Sequence, residues 1–127
     1  MDSLAEEINI ELPKPPSLNQ FYAGKHFSIR LKHKKEYFAA LEEAFKDYED
    51  FTAETFSIHV SHNSRYDTDN CILAIKFTAD YLRHRGWVKD DTKKYFKYLS
   101  IKVDEDIPKT VFKVKIKFNE YKELPNV

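Results

Sequence analysis

Phe112, Val114, Ile116 and Phe118 alternate with Val111, Lys113, Lys115 and Lys117, and a period of two places side chains on one face of a strand. The alternation predicts a strand from Thr110 to Phe118. Phe56, Ile58 and Val60 alternate in the same way with Ser57, His59 and Ser61, predicting a second strand with one face buried. Elsewhere the period lengthens to that of a helix. Tyr37, Phe38, Leu41, Phe45 and Tyr48 recur at helical spacing with charges between them, so a helix is expected from Lys32 to about Asp47, its apolar stripe packed on a sheet. Ile72, Ile75, Ala79 and Leu82 predict another, from about Thr68 or Asp69 to Arg85, stopped by Gly86. Glu7 to Leu12 and Tyr95 to Val103 read as strands, and Asp104 to Lys109, with Pro108, as a hairpin between the last two strands. The Pro13-Lys14-Pro15-Pro16 cluster reads as an extended loop that holds Asn19, Gln20 and Tyr22 in place.

The element order, strand, helix, strand, helix, strand, strand, predicts an α+β (mixed α/β) fold in which both helices pack on one curved mixed sheet. A chain of 127 residues with 42% hydrophobic side chains fits a single domain over 1–127 that buries roughly two thirds of its unfolded surface. Tails of about 1–6 and 120–127 are expected to be flexible. No apolar run approaches the ~20 residues of a membrane span, and the first residues lack the basic-then-apolar pattern of a signal peptide. The expectation is a soluble, cytoplasmic protein with no membrane partner.

Charge changes the picture only through its distribution, because 21 cationic and 21 anionic side chains leave the net at zero. Lys25, Arg30, Lys32, Lys34 and Lys35 fall in a stretch with no acid, whereas Glu36 to Glu54 carries seven acids against Lys46. Arg83, Arg85, Lys89, Lys93, Lys94 and Lys97 make a second cationic group around Asp90-Asp91. Cys71, the one cysteine, excludes an internal disulfide and a cysteine-rich zinc site; it reads as a small buried apolar residue. His59 and His62 read as surface histidines.

The candidate chemistry lies at the second helix. Asp67-Thr68-Asp69-Asn70 stands at its head and Asp90-Asp91 just past its end. At ~100° per residue, Asp69, Leu73, Lys76 and Asp80 share one side of the helix. Aspartates that converged there would disfavour joint ionisation without a counterion. Magnesium relieves that cost, since it prefers carboxylate oxygens, retains waters and supports phosphodiester hydrolysis, with a neighbouring lysine neutralising the charge that develops. For this the Asp90-Asp91 turn must return beside the helix start, as Tyr95 to Val103 begins next to Phe56 to Val60. The plainer alternative makes Asp67 or Thr68 a helix N-cap, Asp69 a first-turn acid, Lys76-Asp80 an i, i+4 pair and Asp90-Asp91 a turn. Two other uses of a DxD pair fit poorly. Asn63-Ser64-Arg65-Tyr66 is not the apolar strand that precedes it in haloacid-dehalogenase-like phosphatases, and nucleotide-sugar transferases need a larger nucleotide-binding domain.

Leu12-Pro13-Lys14-Pro15-Pro16-Ser17-Leu18-Asn19, Arg65-Tyr66-Asp67-Thr68-Asp69-Asn70 and Gly86-Trp87-Val88-Lys89-Asp90-Asp91, taken as an ordered set, resemble the RusA family of Holliday-junction resolvases from about Ile8 to Phe118. The resemblance implies a homodimeric, magnesium-dependent endonuclease, often phage or prophage encoded, that acts in DNA recombination and repair and cuts symmetric strands of four-way DNA junctions. Mn²⁺ would substitute for Mg²⁺, and no organic cofactor is expected. By the same resemblance Asp67, Asp69 and Asp91 are the metal-binding acids, Asp90 their neighbour and Asn70 the following asparagine, while the proline-rich loop helps to shape the DNA surface. The family's lysine usually lies four residues after the second aspartate of the motif; here Leu73 stands there and Lys76 comes seven after, on the same helical face.

The function expected is therefore metal-dependent, structure-selective cleavage of branched DNA. Asp67, Asp69 and Asp91 would hold the ion with Asp90 in support, and Lys76 would stabilise the transition state. Asn19, Lys25, His26, Arg30, Lys32, Lys34, Lys35, Arg65 and Asn70 would contact DNA, the cations through phosphates. The rival from another class is a non-catalytic branched-DNA-binding or phage interaction module with a degenerate site.

Overall fold

The computed structural model describes residues 6–22 and 27–119. Four strands, β1 (Glu6–Pro13), β2 (Phe56–His62), β3 (Phe96–Val103) and β4 (Val111–Phe118), form one mixed sheet in the order β1-β4-β2-β3. β4 runs antiparallel to both β1 and β2, whereas β2 and β3 are parallel. The helices are α1 (Leu18–Tyr22), α2 (Phe27–Phe45) and α3 (Ile72–His84), and a 3₁₀ turn over Thr68–Cys71 leads into α3. The α+β class expected from the element order is the one observed. The two tails expected to be flexible lie outside the described residues, apart from Glu6, which begins β1.

The alternating strands behave as their pattern requires. Phe112, Val114, Ile116 and Phe118 are buried, as are Phe56, Ile58 and Val60, and these two rows form the centre of the sheet. Tyr37, Leu41 and Phe45 of α2 and Ile75, Ala79 and Leu82 of α3 are buried, with α2 lying against β1 and α3, and α3 against β2. Phe45 stacks on Tyr81 at 5.4 Å and meets Trp87 edge-on at 5.3 Å, which joins the two helices to the loop that follows α3. That loop begins as expected at Gly86, whose φ is +79°. Trp87 N donates to Leu82 O and Gly86 N to Arg83 O, the paired bonds that close a helix through a left-handed residue.

Three expectations are corrected. α2 starts at Phe27, five residues before Lys32, because its first turns are held by backbone bonds rather than by an apolar stripe; Phe27, Ile29 and Leu31 are exposed. The segment after the proline cluster is not a plain loop, since it forms the short α1. Asp104 to Lys109 is not a hairpin, because β4 pairs with β1 and β2 and never with β3. The connection instead crosses the exit of β2, where Asp104 N donates to His62 O and Asn63 Nδ2 donates to Ile107 O at 3.0 Å. Among the described residues no helix is long and apolar enough to cross a membrane.

Candidate metal and nucleic-acid site

β2 delivers the chain to the Asp67 motif through a buried polar knot. His62 continues the inner row of Phe56, Ile58 and Val60, is 1% exposed, and lies with its ring 5.5 Å from that of Phe112. The expectation of a surface histidine is therefore wrong for His62; the period of two carries one position further than the apolar residues do. His59, on the other face, is half-buried. His62 Nδ1 shares a hydrogen bond with Ser64 Oγ at 2.8 Å and approaches Cys71 Sγ at 3.6 Å, while Nε2 reaches Thr68 Oγ1 at 3.5 Å. Cys71 Sγ also contacts Asp67 O at 3.7 Å. Burial holds the His62 imidazole below its ordinary pKa and pushes the Cys71 thiol up. Cys71 is buried as expected, though within a polar cluster.

That knot fixes the 3₁₀ turn on which the acids sit. Asp67 occupies its N-cap position at φ −59°, ψ 145°, but its side chain makes no capping bond, and α3 itself has Cys71 as N-cap, again without one. The bond that closes the turn is from backbone, Asn70 N to Asp67 O at 2.9 Å. Asp67 and Asp69 are both exposed. The N-cap explanation for Asp67 thus fails for lack of the bond that defines it. The expected Lys76-Asp80 pair is absent as well. Asp80 Oδ2 binds Lys34 at 3.0 Å and Oδ1 lies 3.7 Å from Arg83, leaving the exposed Lys76 one turn into α3 with no acidic partner among the described residues.

The proline-rich loop is fastened to the same region. Tyr66 Oη donates to Pro15 O at 3.0 Å, Tyr37 Oη donates to Pro13 O at 2.9 Å, and Lys14 Nζ lies 4.9 Å over the Tyr66 ring. Burial raises the pKa of both phenols, so each remains a donor at neutral pH. Two of the three segments that carry the family resemblance therefore meet, around an open depression of about 510 Å³ that also includes His33 and Glu36. Tyr66 and Tyr37 are positioning residues that the sequence reading did not single out, although Tyr66 stands inside the motif.

Asp90 and Asp91 do not join that cluster within one chain. β3 does begin next to β2, with Phe56 opposite Phe96, but the strands are parallel and His62 pairs with Val103. The turn before β3 therefore lies at the entry of β2, and Asp67 follows its exit. α3 alone separates the two positions by roughly 20 Å at 1.5 Å per residue. Asp90 Oδ1 accepts from Asp91 N at 2.8 Å and lies 3.8 Å from Arg83 at the end of α3; Asp91 is half-buried. Among the described residues, no group of three or more His, Cys, Asp or Glu is placed to hold a metal ion. The acids that the fold does bring to the exit of β2 are those of the 104–106 loop, where Asp104 Oδ1 accepts from Asp106 N.

The expected DNA contacts divide similarly. Lys35 and Arg65 are exposed, Lys32 makes a long, largely exposed pair with Glu36 at 4.0 Å, and Arg30 lies 5.7 Å over the Tyr22 ring. Lys34 is a bridge from α2 to α3 through Asp80 and lies over the Phe38 ring, so it is tied to structure. Asn70 is half-buried beside Asp69. Lys25 and His26 lie outside the described residues, as does the side chain of Asn19. No protein-family model and no curated protein sequence matches the chain.

Proposed function

We propose that this chain is a magnesium-dependent, structure-selective endonuclease that cuts branched DNA, with the four-way junction as substrate and a homodimer making paired nicks. The observation that carries the reading is the Asp67-Asp69 pair: two exposed carboxylates on one rigid turn, with no capping bond and no cation bound to either among the described residues. Two carboxylates suffice for Mg²⁺, which keeps several waters and accepts one or two protein ligands alongside phosphate oxygens. The oxygen-only donor set fits that ion and Mn²⁺. Magnesium there would supply Lewis-acid activation of water and of the leaving oxygen in phosphodiester hydrolysis.

The remaining work falls to the chain itself. Lys76, without an acidic partner among the described residues, offers its ammonium to the charge that builds on the phosphorus oxygens. The Tyr66-anchored proline loop and Arg65 give the backbone a rigid wall and a cation. Asp91 is too far away to act on the same ion from within the chain, so any part it has in cleavage comes from the second copy of a dimer. Asp90 serves the turn.

That separation of Asp91 favours a second reading, a branched-DNA-binding module whose site is degenerate. Cleavage of a labelled four-way junction and of its linear duplex control, with Mg²⁺ and with EDTA, separates the two. Paired junction-specific nicks that require both metal and Asp69 are expected. A folded protein that binds the junction and never cuts it would establish the second reading.

A further inference from the structure

Among the described residues, helices cover one face of the sheet; the other carries an unusual row of cations. Lys113, Lys115 and Lys117 are successive outward positions of β4, the strand between β1 and β2. Lysine is depleted in strands, and its common use there is to protect an edge from pairing. β4 is not an edge, so protection does not explain the row. Its members stand about 7 Å apart along the strand and repel one another. Ser61, which faces Lys113, has Lys102 of β3 on its other side, widening the basic surface. Among the described strand residues, the acids of this face are Glu7 and Glu11 on β1, opposite Lys117 and Lys113. The Glu7 carboxyl is held low first by Asn9 and then by the charges of Lys115, Lys117 and His59.

An aromatic platform adjoins the row. His59 stands opposite Lys115, and its ring is fixed from both sides, by Ser57 Oγ at Nε2 (2.9 Å) and Ser100 Oγ at Nδ1 (2.7 Å). It lies 5.4 Å from the Tyr98 ring, which is 53% exposed. Lysines and histidine share an open depression of about 630 Å³. Cations at regular spacing beside an exposed aromatic ring are the components of a single-strand binding surface, where phosphates follow the charges and a base stacks on the ring. A duplex would offer its phosphates but not the faces of its bases.

We propose that this open face of the sheet binds single-stranded nucleic acid, with phosphates along Lys113, Lys115 and Lys117 and a base stacked on Tyr98. The surface lies across the sheet from α3 and is independent of cleavage, so it stands or falls separately from the nuclease reading.

The test is fluorescence anisotropy of a labelled 20-nucleotide oligo(dT) in EDTA, with the whole chain, across a salt series. Wild type is expected to bind, and Lys113→Gln/Lys115→Gln/Lys117→Gln to lose at least about tenfold in affinity, with the slope of log K against log salt shallower by about 2, at ~0.7 per phosphate contact. Tyr98→Ala should lose affinity at least about fivefold, the low end for a base stacked on an aromatic ring, with the slope unchanged. Lys46→Gln, at a lysine just past α2 that pairs with Glu43, should bind the oligonucleotide as wild type does. If the triple variant does not melt cooperatively, Lys115→Gln alone serves, with a slope change of about 0.7. The proposal is overturned if wild type does not bind, if the sheet variants bind unchanged, if Lys46→Gln loses as much affinity as they do, or if a duplex competes equally and Tyr98→Ala has no effect.

Discussion

Aspartates cluster at both ends of α3, and the two groups are satisfied in opposite ways. Towards the C-terminal end, Asp50 accepts from Trp87 Nε1 at 2.7 Å and pairs with Arg85 at 2.7 Å, Asp80 holds Lys34 and Arg83, and Asp90 caps its own turn beside Arg83. Each of these carboxylates has work in the fold. Before the N-terminal end, Asp67 and Asp69 have none among the described residues: the turn closes through backbone, and the polar knot beneath it is supplied by His62, Ser64, Thr68 and Cys71. Carboxylates held on a rigid turn without protein partners are available to a ligand, whereas those bound to arginine and indole are not. Residue type alone does not separate the two groups; what satisfies each oxygen does.

The largest effect should come from removing a carboxylate at the unsatisfied end. Asp69→Asn is expected to lower junction cleavage at least about 100-fold, because the ion's charge stabilisation is worth several kcal/mol, while its melting temperature stays at the wild-type value. A second experiment sharpens the contrast between the ends. If Asp91 acts from a second copy, Asp91→Asn should be inactive alone and should recover nicking when mixed with Asp69→Asn, since one mixed site then holds both native acids; full activity of Asp91→Asn alone would remove Asp91 from the reaction.

Next in size is the knot. His62→Ala leaves a buried gap and unpaired partners around Ser64 and Cys71, at a cost of about 2–3 kcal/mol in chemical denaturation. The same histidine sets a pH dependence. Its folded pKa lies below the ordinary value of 6.5, so the unfolded chain takes up a proton first. The contribution is complete above pH 6.5 and is lost as pH falls through the lower folded value. Thermal melts from pH 8 to 5 should show that decline, and His62→Gln should flatten it.

The smallest effects distinguish capping from availability. Asp90→Ala should destabilise by about 0.5–1 kcal/mol, through the lost turn bond and a solvent-screened pair with Arg83, and should leave cleavage within a few-fold of wild type. Asp67→Ala should change stability by less than about 0.5 kcal/mol, below the ~1 kcal/mol that a lost N-cap costs. A full cap-sized loss would restore the plainer explanation of the motif.

Much of the fold was legible because its signals are local. The alternation of β2 and β4, the stripe of α3 and its stop at Gly86 all follow from neighbours in sequence. What was not legible depends on partners. Asp104 to Lys109 has the turn residues of a hairpin, yet β4 pairs with strands far away in sequence. The irregular burial of β3, against the strict alternation of β4, is the trace of an edge strand beside a central one. At the site, the two aspartates and the proline loop were visible as motifs, but their connection through Tyr66 was not. The expected return of Asp91 failed on strand direction: a parallel β2-β3 pair puts the turn before β3 at the wrong end of the sheet. Composition gave no hint of the lysine row, because its charge is cancelled elsewhere in a chain of zero net charge.

The central claim is that the free ion site lies at Asp67 and Asp69 and not at Asp90 and Asp91. Titrating Mn²⁺ into the ¹⁵N-labelled protein and following paramagnetic broadening of individual amides tests it directly. The expected result is selective loss of signals around residues 66–71 at the lowest Mn²⁺ concentrations, reversed by Mg²⁺ and absent in Asp69→Asn, with residues 88–92 unaffected. Broadening centred on 90–91, or no site-specific broadening at all, would contradict it.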